Sequence, residues 1–407
     1  MTMILRIVPL AAVLAAAALF PCAAKAQPQP EVPTSRARLA TFDAPGGERY
    51  FALSITLESA PRDDRPQYVA ILFDTSASQT GVFREDGLAA LRQLLASLDA
   101  EDRVQLLAVD LQATPMTEAF IPPRGEAMDR AVAKLVERPP LGATDLPAAI
   151  EAAVAVFGTD HSPRTILYLG DGLSRANIVD RRDFAKLSEQ LVNARASFTS
   201  FAIGPQRDAL LLAAISAQSG GMLYLDTSEA EEAQRAGSAL AEIVHRPVFW
   251  PEQSSWPSVM RDVFPHRLPP LRSDRDSVVL GLIEGDGPLA MPLELRGLGK
   301  QFSLPVDVLM EASSDDFAFL PQVHELARKE GELALPLLGS AGLREMRRLL
   351  VESARHLVQL GEQALASDDL DGAQRLAEAA RKRDPGSLQV ETLLNAIRAE
   401  RKKQSPK

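Results

Sequence analysis

Five oxygen-bearing side chains in this sequence have the types and the setting of a cation site. The first three follow the apolar segment 68–73 at alternate positions, so that an extended turn can direct their oxygens to one place. The other two stand in glycine-containing segments further along the chain. The five are Asp74, Ser76, Ser78, Thr144 and Asp171. A set made only of oxygen ligands suits a hard divalent cation with octahedral preference, Mg²⁺ or Mn²⁺.

The elements around these residues alternate between strands and helices. Short apolar runs predict strands at 68–73, 104–109, 165–169, 197–203 and 222–225. Apolar residues at helical spacing predict helices at 88–98, 125–137, 146–157, 180–194, 207–219 and 229–244. This order predicts an α/β fold with a doubly wound parallel sheet that is covered on both faces.

The same order predicts where the five side chains meet. Asp74 and Asp171 each come directly after a predicted strand, and Thr144 lies in a loop just before a helix. Ligands of open α/β sheets bind beyond the carboxyl ends of the strands. Three loops are therefore expected to converge on one edge, with Asp110, after the strand 104–109, as a bystander.

Residues 66–244 resemble a von Willebrand factor A (VWA) domain, and the five side chains match its metal-ion-dependent adhesion site position by position. The resemblance implies that Ser76, Ser78 and often Thr144 bind the metal directly, while the two aspartates act through water. It also implies one open coordination position, which a Glu or Asp carboxylate of a protein partner fills.

Helix capping is the alternative interpretation of the same residues. Asp74 and the two serines would then satisfy loop amides and cap a helix instead of holding a metal. Metal binding is favoured because Thr144 and Asp171 follow in the right order and settings. Asp145 is expected to cap the helix that begins at Leu146 rather than to bind metal.

The first residues predict export. Residues 1–26 have the pattern of a signal peptide, with a basic Arg6, an apolar stretch over 7–20 and a small-x-small cleavage pattern. Cleavage would leave a periplasmic or extracellular chain without cysteine, because Cys22 is the only one. Pro21 argues against lipid attachment at Cys22, so membrane attachment is not expected.

Length, composition and charge bound the class of protein. With 407 residues, 46% of them hydrophobic and 24% charged, the chain has the composition of a globular protein and the length of two or three domains. The formal net charge of −10 speaks against nucleic acid as a partner. The basic residues near the C-terminus are interpreted as a solvated helix end.

The other segments are assigned by composition. They are a flexible leader over 27–48, a VWA domain with a preceding strand over 49–245, a proline-rich connector over 246–272, a small β-sandwich-like unit over 273–312 and a helical region over 313–407. Residues 369–385 of the helical region resemble a single tetratricopeptide-type (TPR-like) hairpin. An ordinary helical hairpin is the favoured interpretation, because repeat arrays need several units to bury a core.

The sequence favours a binding protein over an enzyme. Its histidines lack zinc-ligand spacing, and the sequence contains no nucleophile elbow or phosphate-binding loop. The favoured function is an exported module that captures a partner protein through the divalent cation. One alternative is an envelope scaffold that acts through its helical C-terminus and holds a structural metal. The other is a metal-dependent hydrolase, which lacks a clear general base near the open coordination position.

Overall fold

The computed structural model describes residues 34–58, 60–159, 162–227, 231–253, 256–285 and 289–404. The predicted signal peptide over 1–26, with Cys22, lies outside these residues. The described chain forms a six-stranded sheet, a seven-stranded sheet and a helical C-terminal part.

The six-stranded sheet carries the predicted site. Its strands are β3 (Tyr68–Asp74), β4 (Arg103–Val109), β5 (Ala113–Pro115), β6 (Arg164–Gly170), β7 (Ala196–Ala202) and β8 (Leu223–Leu225). They lie in the order β5-β4-β3-β6-β7-β8, and every pairing is parallel except that of β4 with β5. The predicted doubly wound α/β fold is confirmed.

Helices cover both faces of this sheet because its strands are apolar on both sides. The helices are α1 (Val82–Ser97), α2 (Glu126–Glu137), α3 (Leu146–Ala155), α4 (Arg181–Ala194), α5 (Ala209–Ser219) and α6 (Glu232–Val244). Val69 and Ile71 of β3 pack in the core with α1, α2 and α6. Ala70 and Leu72 point the other way, into the core with α3, α4 and α5.

The seven-stranded sheet is assembled from segments that precede and follow the six-stranded unit. Its strands are β1 (Ser35–Asp43), β2 (Arg49–Leu57), β9 (Trp250–Gln253), β10 (Met260–Phe264), β11 (Ser277–Ile283), β12 (Leu289–Gly297) and β13 (Lys300–Met310). The order is β10-β11-β2-β1-β13-β12-β9, with only β1 and β13 parallel. The six-stranded unit is thus inserted between β2 and β9.

This arrangement corrects four sequence-based assignments. Residues 35–43, predicted as part of a flexible leader, form β1, and the strand expected to precede the VWA domain is β2 of the seven-stranded sheet. The predicted connector contains β9 and β10. The expected separate β-sandwich-like unit instead completes this one sheet. Local composition did not predict this single sheet, because β1 pairs with β13, as in Ala37 with Val308, and β13 follows the whole six-stranded unit in sequence.

The C-terminal part is helical, as predicted. Its helices are α7 (Leu320–Glu330), α8 (Gly339–Ala366), α9 (Leu370–Arg383) and α10 (Leu388–Gln404). Val323 of α7 and Leu343 of α8 pack on the seven-stranded sheet, whereas the end of α8 packs with α9 and α10. The TPR-like interpretation stays a prediction. Among the described helices, none has the combined length and hydropathy of a membrane span.

Candidate metal centre

Three loops bring the predicted site residues together at the carboxyl edge of the six-stranded sheet. Asp74 ends β3, Asp171 directly follows β6, and Thr144 lies just before α3. The first loop is tied to the second, since the Ala77 amide donates to the Gly142 carbonyl over 3.0 Å. Backbone bonds between loops of this kind hold side chains from separate elements in a fixed arrangement.

The Asp74 carboxylate accepts hydrogen bonds from three parts of the chain and is 1% exposed. The Ser76 amide donates to Oδ1 over 2.8 Å, and the Tyr168 hydroxyl donates to Oδ2 over 2.6 Å. Thr144 Oγ1 donates to the same carboxylate, at 3.1 and 3.0 Å from its two oxygens. Burial raises the pKa of Asp74, and the charge of Asp171 adds to this, against the lowering effect of the Tyr168 and Ser76 hydrogen bonds.

Asp171 is equally buried, but only one of its oxygens is satisfied. The Leu173 amide donates to Oδ1 over 2.9 Å. Oδ2 is buried and has no hydrogen-bond partner among the described residues. A buried oxygen that has lost water without gaining a partner costs free energy, and more so when it carries charge. A cation bound beside Oδ2 of Asp171 would supply the partner that this oxygen lacks.

Ser76 and Ser78 place hydroxyls on the solvent side of these carboxylates. Their Oγ atoms lie 3.0 Å apart. Ser76 is buried, while Ser78 is exposed. The arrangement is thus closed towards the sheet by the aspartates and open to solvent at Ser78.

The donor set fits a hard divalent cation. Two buried carboxylates and three hydroxyls offer only oxygen atoms, which Mg²⁺ and Mn²⁺ prefer. The backbone is also built for this proximity, because a Cβ on Gly170 would stand 2.4 Å from the Cβ of Asp74. Only glycine lets β6 pass so close to the carboxylate. The five predicted residues are together, and metal binding by them stays a prediction.

Only half of the capping alternative describes this loop: Asp74 accepts from the loop amide of Ser76, but the helix-capping part is wrong. Helix α1 begins after Gly81 and has no side-chain cap, so Asp74 and the two serines do not cap it. Asp145 does cap α3, as predicted, by accepting from the Ala148 amide over 3.0 Å. Asp110 pairs with Arg138 over 2.6 Å, so its charge is balanced within the protein.

Comparisons with known proteins identify this part of the chain. The family model described as von Willebrand factor type A domain matches residues 67–225. Residues 67–225 are a VWA domain. Domains of this family commonly mediate protein interactions and often bind a divalent metal.

Solved structures resemble the chain at low sequence identity. A von Willebrand factor type A protein from Catenulispora acidiphila has a TM-score of 0.50 and 14% identity, covering 91% of this chain and 90% of that chain. The ArnB paralog VWA2 from Sulfolobus acidocaldarius has a TM-score of 0.43 and 13% identity, covering 89% and 93%. An aerotolerance-related membrane protein from Bacteroides fragilis has a TM-score of 0.37 and 14% identity, covering 44% and 98%. No curated protein matches the chain.

Sequence reasoning missed Tyr168 in the VWA domain. Its side chain is fully buried in β6, where it donates to Asp74 and accepts from the Gly172 amide over 3.1 Å. Burial raises the pKa of Tyr168 well above its usual value, as do the charges of Asp74 and Asp171, so the hydroxyl keeps its proton and stays a donor. The only signal was a tyrosine in the apolar run 165–169, three residues before Asp171.

A second acidic group, also missed from the sequence, lies at the opposite edge of the sheet. One ligand atom from each of Asp99, Asp102 and His245 lies within 4.8 Å of the others, so this cluster could hold a metal ion. The side chains of His245 and Asp102 already form hydrogen bonds within the protein, however. His245 Nε2 lies 3.0 Å from Asp102 Oδ2, and Nδ1 lies 3.0 Å from the Asp63 carbonyl oxygen. Both partners accept, so the bonds favour a ring that is protonated at both nitrogens.

Proposed function

We propose that this protein is exported and captures a partner protein without catalysing a reaction. The capture would use a divalent cation at the carboxyl edge of the six-stranded sheet, which is called the rim of the VWA domain below. Asp74, Ser76, Ser78, Thr144 and Asp171 would hold Mg²⁺ or Mn²⁺. When bound, such an ion supplies an electrophilic position for an anionic oxygen, and an acidic side chain of the partner has that chemistry. The ordinary role of VWA domains in protein interactions supports the proposal.

The observation that carries the proposal is the unbalanced negative charge of the rim. Asp74 and Asp171 are both buried, and neither forms an ion pair with a described residue. Asp171 Oδ2 lacks even a hydrogen bond. Two buried carboxylates that repel each other are costly without a counter-charge. A divalent cation carries two positive charges, which would neutralise the two negative charges of these carboxylates.

Apolar side chains around the rim favour a protein over a small anion as the partner. Leu111, Leu141 and Ile178 are 59%, 63% and 81% exposed. Leu111 follows β4, the Leu141 amide donates to the Thr75 carbonyl, and Ile178 lies in the loop after Asp171. Exposed apolar groups beside a site for a charged anchor are typical of protein interfaces.

Metal binding is tested by titrating the protein with Mg²⁺ and Mn²⁺ in a calorimeter. The site variant is Ser76→Ala/Ser78→Ala, and the matched control is Ser97→Ala/Ser367→Ala, which changes two exposed serines outside the rim. We expect saturable binding by the parent and the control and binding at least tenfold weaker in the site variant, because two candidate ligands are lost. Equal binding by all three proteins would remove the metal centre from the proposal.

Partner capture is tested with the same three proteins on an envelope extract, with magnesium and then with a chelator. A partner retained by the parent and the control only with metal supports the proposal, and Leu141→Asp should reduce its retention. The same partner retained under chelator and by the site variant would favour a scaffold that acts elsewhere, such as the C-terminal helices. Export is tested by intact mass, since removal of residues 1–26 gives a chain that begins at Gln27.

A further inference from the structure

Five arginines line a cleft at the amino edge of the six-stranded sheet, the edge opposite the metal rim. They are Arg65, Arg164, Arg195, Arg246 and Arg296. The cleft has a volume of about 100 Å³. This space takes several water molecules, since one water occupies roughly 30 Å³ of the liquid. The concentration of positive charge is unusual in a chain whose formal net charge is −10.

The arginines come from separate elements that meet only in the folded chain. Arg65 precedes β3, Arg164 begins β6, and Arg195 follows the last residue of α4. Arg246 follows α6, and Arg296 reaches the cleft from β12 of the seven-stranded sheet. The cleft therefore lies where the inserted VWA domain meets the sheet into which it is inserted.

Two carboxylates balance only part of this charge. Asp63 accepts from Arg65 Nε over 2.8 Å and from another nitrogen of the same guanidinium over 2.6 Å. Glu252 pairs with Arg195 over 3.1 Å and also with Arg296. Arg195 and Arg296 therefore share one carboxylate. Arg246 is exposed and forms no ion pair with any described residue.

Part of the arginine set has a structural role. Arg164 donates to the Ala194 carbonyl at the end of α4 over 2.6 Å and to the Gly158 carbonyl in the loop after α3 over 2.8 Å. Burial lowers the pKa of Arg164, and so does the neighbouring Arg195 guanidinium, because like charges repel. These carbonyl contacts thus account for Arg164. They do not account for Arg195, whose charge repels Arg164, or for Arg246, which has no ion pair with a described residue.

The cleft also offers neutral donors and unused guanidinium donors. The buried hydroxyls of Thr165 and Ser197 line it and lie 3.2 Å apart. A guanidinium carries five N–H donors in a planar fork, so an arginine held by one carboxylate keeps donors for a second anion. Converging arginine and hydroxyl donors are suited to oxygen anions, and arginine forks match phosphate in particular.

We propose that this arginine cleft binds a small tetrahedral oxyanion of the phosphate class, either free phosphate or the phosphate of a small ester. The anion would place negative charge beside Arg195, Arg246 and Arg296, where the VWA domain meets the seven-stranded sheet. The volume of the cleft favours a single phosphate group, and the acidic remainder of the chain disfavours a polyanion such as nucleic acid.

The test is calorimetric titration of metal-free protein with inorganic phosphate and, separately, with glycerol 3-phosphate, against sodium chloride at matched ionic strength. Metal is removed on a chelating resin so that phosphate cannot bind through an ion at the rim. The variants are Arg246→Gln and Arg195→Gln, and the matched control is Arg92→Gln, which changes an exposed arginine of α1. Thermal unfolding without phosphate checks that each variant is folded.

We expect the parent and Arg92→Gln to bind at least one of the two phosphates saturably. In Arg246→Gln and Arg195→Gln, the affinity for that phosphate should fall by about tenfold or more, because each variant loses a charge-assisted donor. Tighter binding of one probe than of the other identifies the source of the phosphate group. Absence of saturable binding of both probes by the parent, or equal binding in folded Arg246→Gln and Arg195→Gln, would overturn the proposal.

Discussion

At the carboxyl edge of the six-stranded sheet, Asp74 and Asp171 are buried without a cationic partner among the described residues, whereas the buried aspartates of the amino edge are paired. Asp63 holds Arg65, and Asp102 faces His245 over 3.0 Å. The same residue type is therefore buried under opposite electrostatic conditions at the two edges. Where the protein supplies its own cation, the carboxylate serves stability. Where it supplies none, the proposed metal site would draw the counter-charge from solution.

Removing a paired carboxylate from the amino edge should have the largest effect on stability. Asp102 is fully buried and accepts from the Gln67 and Asp99 amides, both over 2.9 Å, as well as from His245. Asp102→Ala should lower the free energy of unfolding by about 3 kcal/mol or more, because it leaves these donors unpaired. Urea denaturation measures the change, with Asp129→Ala, at an exposed position of α2, as the control. A loss no larger than that of the control would mean that the pairing at this edge is not structural.

Removing a charge from the unbalanced edge should have a smaller effect, visible only with metal. Asp171→Asn keeps an oxygen for the Leu173 amide and removes the repulsion of Asp74, so metal-free stability should change by less than about 1 kcal/mol. The parent should gain about 2.7 kcal/mol at a metal concentration one hundred times its dissociation constant, and the variant much less. Urea denaturation with and without magnesium measures both quantities. An equal gain in the two proteins would contradict the role given to Asp171.

The smallest effect should be the pH dependence of stability that comes from His245 at the amino edge. Burial favours a neutral His245, yet the hydrogen bonds to Asp102 and the Asp63 carbonyl raise its pKa above the ordinary value, against a small opposing effect of Arg62. The folded protein then holds more protons than the unfolded one, so this stabilisation is fully present below a pH of about 6.5. It is lost as the pH rises through the folded-state pKa. His245→Gln should flatten that fall in stability, and an unchanged slope would assign the pH dependence to other groups.

The carboxyl edge could be predicted from the sequence because its signals are local. The apolar run that predicts the strand and the three polar residues of its loop, Asp74, Ser76 and Ser78, lie within eleven residues of sequence. The edge where Thr144 and Asp171 join them follows from a general rule of parallel sheets. The role of Tyr168 did not follow, because a tyrosine in an apolar strand has the pattern of an ordinary core residue.

The amino edge and the seven-stranded sheet could not be predicted in this way. Asp63 and His245 are 182 residues apart in sequence, and only the folded chain shows that they are in contact. The strand β1 has charged residues on its exposed face and lies in a segment that begins with proline and glutamine, so its composition resembled that of a linker. Its pairing with β13 depends on residues that follow the whole VWA domain.

The insertion of the VWA domain between β2 and β9 has a mechanical consequence. The segments that enter and leave the domain are bonded to each other, since the Asp63 amide donates to the His245 carbonyl over 2.9 Å. Two joined segments restrict the motion of a domain relative to its neighbour more than a single segment does. Tension applied at the rim is shared between β2, inside the seven-stranded sheet, and β9, at its border. A load on the rim is thus divided between two anchorages.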